Sequence, residues 1–492
     1  MYIYDCFILI LMELTRRDFL KAGAAAVLLL NSNEVYASEQ DSTSRYFYSG
    51  RDARPDLGLI PATRKNLSSI SGQSSLEDIL KIGTNTFFHP QTGAAEIRKI
   101  GEDYLMLVPW YSSSSDRIFK KFDRVTNPSP SNYAMVSDEQ SELVWLVSVG
   151  NDPERMRAAC KTIEAMQGKY GTLPGWVAEV KDGRISPISQ DSASDASSRF
   201  IQALLQASVN PHFPQEDRIK YRQKGIQVAY DSYQFEYARG SFRSELTGRH
   251  MDMIGAGGGN TARSGVEGLN DYIGYYPDRI KALIAAYAAT GDAKFWILAE
   301  DMIEQAMIAS NFNGKEFSVG RVDFGWDTSS GYARPRVGNR GDSFWRPNNP
   351  AWDEMDAPRF YGIGDVRRAL KLSGRGSVLL DRYMDAFFKK DIHQFDKVVL
   401  QYLANGEPYE PSRGGDYFTL GLEFGMHTIN RETGMPDTEG MQKKARKMME
   451  QFDFQKGVFN DSRYLGIYKA RPFKAIAIAL GKDADTYVQR LL

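Results

Sequence analysis

The sequence predicts an all-α protein of paired helices that close into a toroid, preceded by an N-terminal extension. Three observations carry that expectation. Apolar residues recur at helical spacing in segment after segment, and caps and stop signals bound those segments. No strand–helix alternation of the kind a parallel sheet requires runs through the chain. Loops rich in Gly, Asn, Trp and Arg, notably 248–277 and 311–355, separate the helical segments, and no strict solenoid repeat is present. In a chain of 492 residues, such pairing leaves loops and helix N-termini at one end, where they can line a groove.

The N-terminus carries an address. Thr15-Arg16-Arg17-Asp18-Phe19-Leu20-Lys21 precedes an apolar run at 22–30 and then Val35-Tyr36-Ala37, a small-residue cleavage pattern. This is the arrangement of a twin-arginine export signal, which implies the twin-arginine translocase as a partner during export of the folded chain. The nine-residue run is too short for a spanning helix, which needs ~20 residues, so no stable membrane anchor is expected after cleavage. Residues 1–37 are therefore expected to be the signal, with Met12 a candidate start, and the mature protein is expected in the periplasm or outside the cell. Cleavage also removes Cys6 and leaves Cys160, which suits a compartment where unpaired thiols are a liability.

Residues 38–131 read as loops and short elements, with Ser/Asn/Pro clusters at 66–75 and 127–132, and form the expected extension. Residues 132–492 form the expected helical domain. A helix opens near Asp138 and carries Val144, Trp145 and Val147; Asn151-Asp152-Pro153-Glu154 then caps the next, which runs to about Met166. Segment 196–207 places Phe200, Ile201, Leu204 and Leu205 on one face. Segment 279–289 does the same with Ile280, Leu283, Ile284 and Tyr287, and Thr290-Gly291-Asp292 stops it. Further helices are expected near 294–309, 357–372, 376–403, 415–427, 438–451 and 470–481.

Composition narrows the chemistry. With 61 basic against 62 acidic side chains, the charge balance gives no reason to expect nucleic acid as a partner. Two cysteines and five scattered histidines exclude a disulfide framework, a cysteine-based zinc site and a His-rich metal centre, so neither metal nor cofactor is expected. The GxxxxGK[ST], HExxH and GxSxG motifs are absent, and the glycine run at 255–259 lacks the strand and helix that nucleotide folds place around it.

What remains is carboxylates and aromatics. Asp138, Glu139 and Glu142 open one helix, Asp191 and Asp195 frame a second, and Asp353, Glu354 and Asp356 crowd a third. Trp145, Trp176, Tyr272, Tyr275, Tyr276, Trp326, Trp345 and Trp352 lie close to them in sequence. Sugars stack their apolar faces on aromatics, and a carboxylate pair cleaves glycosidic bonds. Acids at helix starts also serve as caps, and aromatics in loops also serve as packing anchors.

The order of these pieces resembles glycoside hydrolase family 8, inverting (α/α)6-toroid enzymes that cut β-linked glucans, chitosan, xylan and bacterial exopolysaccharides. Val136-Ser137-Asp138-Glu139-Gln140-Ser141-Glu142 stands where the family has V-S-E-G-Q-S-Y. Leu173-Pro174-Gly175-Trp176 and then Ala193-Ser194-Asp195-Ala196 are similar to its L-x-A-W and A-[ST]-D-A segments. Tyr275-Tyr276-Pro277 leads to a helix ending Ala289-Thr290-Gly291-Asp292, and Asp356-Ala357-Pro358-Arg359 resembles D-A-x-R. The resemblance spans roughly 136–390. It implies that Asp356 is the general base, Asp195 holds the sugar at the cleavage point, Arg359 positions the base, Trp176 stacks on a sugar and Tyr276 lies at the cleavage subsite. The proton donor falls on Asp138 in place of the family's glutamate; Glu139 and Glu142 replace a glycine and a tyrosine and become candidate substrate contacts. Ser197, Ser198 and Arg199 replace a more acidic and apolar run.

A two-carboxylate inverting reaction needs one protonated and one ionised carboxyl, ~6.5–9.5 Å apart. Three acids within five residues can raise one another's pKa, which suits an acid, or can form a solvated acidic surface. The leading expectation is thus an exported hydrolase of β-linked polysaccharide. One alternative is a polysaccharide lyase using His250 between Arg249 and Arg263. The other is a non-catalytic glycan-binding protein of an exopolysaccharide assembly system.

Overall fold

The computed structural model describes residues 96–100, 103–107, 132–181, 184–189, 191–254 and 276–309, four two-residue strands beyond them, and isolated helical positions as far as Leu491. The chain divides into two compact units, Met1–Ser44 and Arg45–Leu492, and every described residue lies in the second.

The described residues are mostly helical. Six helices follow one another as α1 (Ser137–Ser148), α2 (Pro153–Ala165), α3 (Ser194–Val209), α4 (Gln215–Phe235), α5 (Tyr276–Thr290) and α6 (Ala293–Ala309). Local chemistry explains their ends. Asp152 caps α2 by accepting from Arg155 N at 3.0 Å, and Pro153, which has no N–H to satisfy, fills the first turn. At the other end of the series, Gly291 adopts φ +71° and donates to Tyr287 O at 2.7 Å, which terminates α5 as its Thr-Gly-Asp ending predicts.

Helix α3 is the hub, packed against α1, α4 and α5. Every residue from Ser194 to Ser208 is buried, including Arg199, Gln202 and Gln206, so its predicted apolar face is only part of what it hides. Helix α4 is absent from the sequence expectation because much of it is polar and solvent-facing. Its contact with α3 depends on Gly225, where a Cβ would sit 3.0 Å from Leu205 Cδ2.

Small antiparallel sheets correct the purely helical expectation. Strands β1 (Glu96–Ile100) and β2 (Asp103–Leu107) form a hairpin, and β3 (Asn132–Val136), β4 (Val177–Lys181) and β5 (Arg184–Pro187) form a sheet in that order. Strand β6 (Tyr237–Arg243) pairs with β7 (His250–Ile254), which occupies the start of the expected loop 248–277. The remaining pairs are two residues per strand: β8 (Trp326–Asp327) with β9 (Arg334–Pro335), and β10 (Phe452–Asp453) with β11 (Val458–Phe459). Segments this short offer too few residues for period-2 alternation to stand out.

Strand β2 belongs to the expected extension, yet Leu105 and Leu107 share a core with Met135, Met166, Ala178, Val180 and Ile185. Thr162 of α2 accepts from Met106 N at 2.9 Å and bonds Met106 O at 2.8 Å, which pins β2 to the helical part. The expected signal at 1–37 lies outside the described residues, as do the helices expected from 357 onward apart from isolated positions. No helix among the described residues is long and apolar enough to cross a membrane.

Candidate active site

Three helix N-termini meet at one buried arginine. Strand β3 runs directly into α1, whose first N–H, that of Ser137, donates to Trp176 O at 2.9 Å. This bond seats the Trp176 backbone on the helix end that carries Asp138. Trp176 N donates to Asp191 O at 2.7 Å and Gly175 N to Met166 O at 2.7 Å, so the loop is held on both sides. At Gly175 a Cβ would lie 2.4 Å from Ser189 O, a backbone atom, so only glycine fits that approach. The Trp176 side chain is half-buried at this point.

Asp195 is the second residue of α3 and Asp278 the third of α5. Arg199, one turn beyond Asp195 and fully buried, draws them together. Its Nε lies 2.8 Å from Glu142 Oε1 and 3.2 Å from Asp278 Oδ2; Nη2 lies 3.0 Å from Asp195 Oδ2, and Nη1 3.8 Å from Asp138 Oδ1. Gln202, the next turn of α3, donates to Asp278 O at 2.7 Å and fixes the start of α5. Positive helix ends add to the guanidinium in favouring carboxylates here.

Exposure separates these acids. The side chains of Asp138 and Asp278 are 17% and 20% exposed, against 8% for Asp195 and 2% for Glu142. Glu139 is buried as well, so of the three acids that open α1 only Asp138 presents accessible carboxyl surface. Glu139 and Glu142, expected as substrate contacts, are both buried.

A second buried carboxyl supports the first group. Glu236, at the C-terminal end of α4, receives hydroxyl bonds from Ser192 at 2.7 Å, Ser197 at 2.9 Å and Ser232 at 2.5 Å. Burial raises its pKa, opposed by the three hydroxyls and by Arg279. Ser192 and Ser197 flank Asp195, so Glu236 braces the start of α3 from behind.

Tyr276 opens α5, while Asp356, Arg359 and Arg263 lie outside the described residues. Trp145, noted beside the first acidic cluster, is fully buried in the core. Sequence reasoning missed Arg199 as a hub, Asp278, Gln202 and Glu236. The one local signal was the i, i+4 spacing of Asp195 and Arg199 on a helix. Among the described residues no group of three or more His, Cys, Asp or Glu is arranged to hold a metal.

A cold-adapted family 8 xylanase in complex with substrate matches with TM-score 0.54 at 11% identity, covering 90% of this chain and 98% of that one. The fold is that of a family 8 xylanase. A β-1,3-1,4-glucanase from Paenibacillus sp. X4 matches with TM-score 0.53 at 13% identity, covering 90% of this chain and 97% of that one. At such identities the likeness is one of fold. No protein-family model matches the sequence, and no curated protein matches it.

Proposed function

We propose that this chain is an exported member of glycoside hydrolase family 8 that cleaves a β-linked polysaccharide with inversion. The observation that carries this reading is the convergence of Asp138, Asp195 and Asp278 on Arg199 beside Trp176, in the fold of a xylanase and a glucanase. Asp138 is the general acid and gives its proton to the leaving glycosidic oxygen as the C–O bond breaks. Water attacks the anomeric carbon from the opposite face and yields its proton to Asp356. Asp195 holds the distorted sugar; Trp176 stacks against a sugar ring, Tyr276 lies at the cleavage subsite, and Arg359 orients the base. Atoms balance with water as the only co-substrate, so the scheme needs no cofactor.

The lyase alternative requires a cation to neutralise a uronate near His250. Arg249 does not offer one, because it is held by Asp301 and Glu304 at 2.5 Å each. The test is to incubate the purified protein with β-glucans, xylan, chitosan and bacterial exopolysaccharides while following reducing ends, unsaturated-uronate absorbance and the anomeric proton signals of the product. New reducing ends of inverted configuration support the reading. Unsaturated products would indicate a lyase, retained configuration would exclude inversion, and binding without turnover would indicate a glycan-binding protein.

Export rests on Arg16 and Arg17. Replacing both with Lys keeps the charge and removes the guanidinium fork, so the folded precursor should accumulate inside the cell. Unchanged export of that double variant, measured by fractionation, would remove the twin-arginine assignment.

A further inference from the structure

Around Arg199 one cation faces four acids. Asp138 and Glu142 come from α1, Asp195 from α3 and Asp278 from α5; the other buried charges on these elements and on α4 are Glu139, Asp217, Asp231, Arg279 and Lys281, with Glu236 just beyond α4. Crowded carboxylates cannot all stay ionised at low cost, and a shared proton settles on the one that loses least by accepting it. Contact with the guanidinium ranks them. Glu142, Asp195 and Asp278 sit within 2.8–3.2 Å of Arg199, at charge-assisted hydrogen-bond range, whereas Asp138 is 3.8 Å away, beyond that range. Asp138 is also more exposed than Glu142 and Asp195, so a proton there is accessible to solvent.

We propose that Arg199 is a positioning residue of this site: it clamps Glu142, Asp195 and Asp278 as carboxylates across three helices and leaves to Asp138 the proton that the cluster retains. One side chain thereby fixes the sugar-holding group and the proton donor in opposite protonation states, as acid-assisted cleavage needs. The role in hydrolysis rests on the function proposed above, whereas the order of protonation can be read without a substrate.

The experiment is a pH titration by NMR of the full-length protein labelled with carboxyl-13C Asp and Glu, each signal assigned by the corresponding Asp→Asn or Glu→Gln variant. Asp138 should titrate at the highest pH of the four. In Arg199→Met the titration of Asp195 and Asp278 should move up by about 1–3 units, and Arg199→Lys should restore part of that shift. With a substrate from the panel, Arg199→Lys should lower kcat by roughly 10²-fold, because a small misplacement of reacting groups is costly, and should move the alkaline limb of the pH profile. If Glu142, Asp195 or Asp278 titrates above Asp138, the proposal is wrong. Should Arg199→Met fail to fold, the wild type and Arg199→Lys still decide the order. Failure of every substrate with the predicted order intact overturns the hydrolase reading and the role in hydrolysis while upholding the clamp.

Discussion

The clusters around Arg199 and Arg249 use the same chemistry to different ends. Arg249 meets two acids from the middle of α6: Asp301 and Glu304 each lie 2.5 Å from its guanidinium. The remaining valences there are filled locally, with Asp252 N donating to Asp301 at 2.9 Å and both Ser244 and Thr247 donating hydroxyl bonds to Glu304. Arg199 meets four acids, three of them in the first turns of α1, α3 and α5, where helix dipoles help to carry the excess negative charge. Two acids around one arginine, closed off by hydroxyls and a backbone N–H, make a brace between the β6–β7 hairpin and α6. An excess of acids at three helix starts, two of them partly open to solvent, makes the candidate site.

The largest effect should separate the clusters by activity. Asp138→Asn preserves shape and removes the proton, so hydrolysis of natural glycans should fall by ~10²–10⁴ while substrates with activated leaving groups are spared. Steady-state rates on both substrate types check this, and equal losses would point away from proton donation. Next, Arg249→Met should act on stability alone. Leaving Asp301 and Glu304 without their counter-ion should cost about 2–4 kcal/mol in urea unfolding, scaled down because Arg249 is partly exposed, with kcat of the folded protein unchanged. A matching loss of kcat would join this cluster to the site.

Gly175→Ala sharpens the geometry of the Trp176 loop. A methyl group 2.4 Å from Ser189 O must displace backbone, so KM should rise about tenfold and stability fall by about 1–3 kcal/mol. Unchanged KM with the expected loss of stability would take Trp176 out of substrate binding. The smallest effect concerns Glu236. Its folded-state pKa is raised, so the native state holds the proton longer than the unfolded chain does; stability is greatest below the unfolded pKa and falls as pH climbs toward the folded one. Glu236→Gln should remove that decline, seen as a urea midpoint that gains on the wild type as pH rises above the ordinary carboxylate range. A midpoint difference that stays flat would mean that Glu236 keeps the same charge in both states.

Local signals in the sequence were enough for several elements. Asp152-Pro153 starts α2 and Gly291 ends α5 because capping is settled within one turn. The same locality placed Asp138 and Asp195 at helix starts, and the motif around each was legible. Helix α4 and the strands were not legible, since a polar helix seated through one glycine and strands of two to seven residues leave little periodic trace.

By itself the sequence determined that this chain is built of capped helices, that acids begin several of them, and that twin-arginine and family-like motifs stand in a set order. Only the tertiary structure decided which acids share a site. Arg199 bonds Asp278 across 79 residues of chain, and Ser192 bonds Glu236 across 44. Those pairings exist because α3 and the residues that lead into it are buried, so Arg199, Gln202 and Ser192 meet polar groups of α5 and of the end of α4 in place of water. Which of several carboxylates keeps a proton depends on distances of 2.8 to 3.8 Å to one guanidinium, set by helix packing rather than by spacing along the chain.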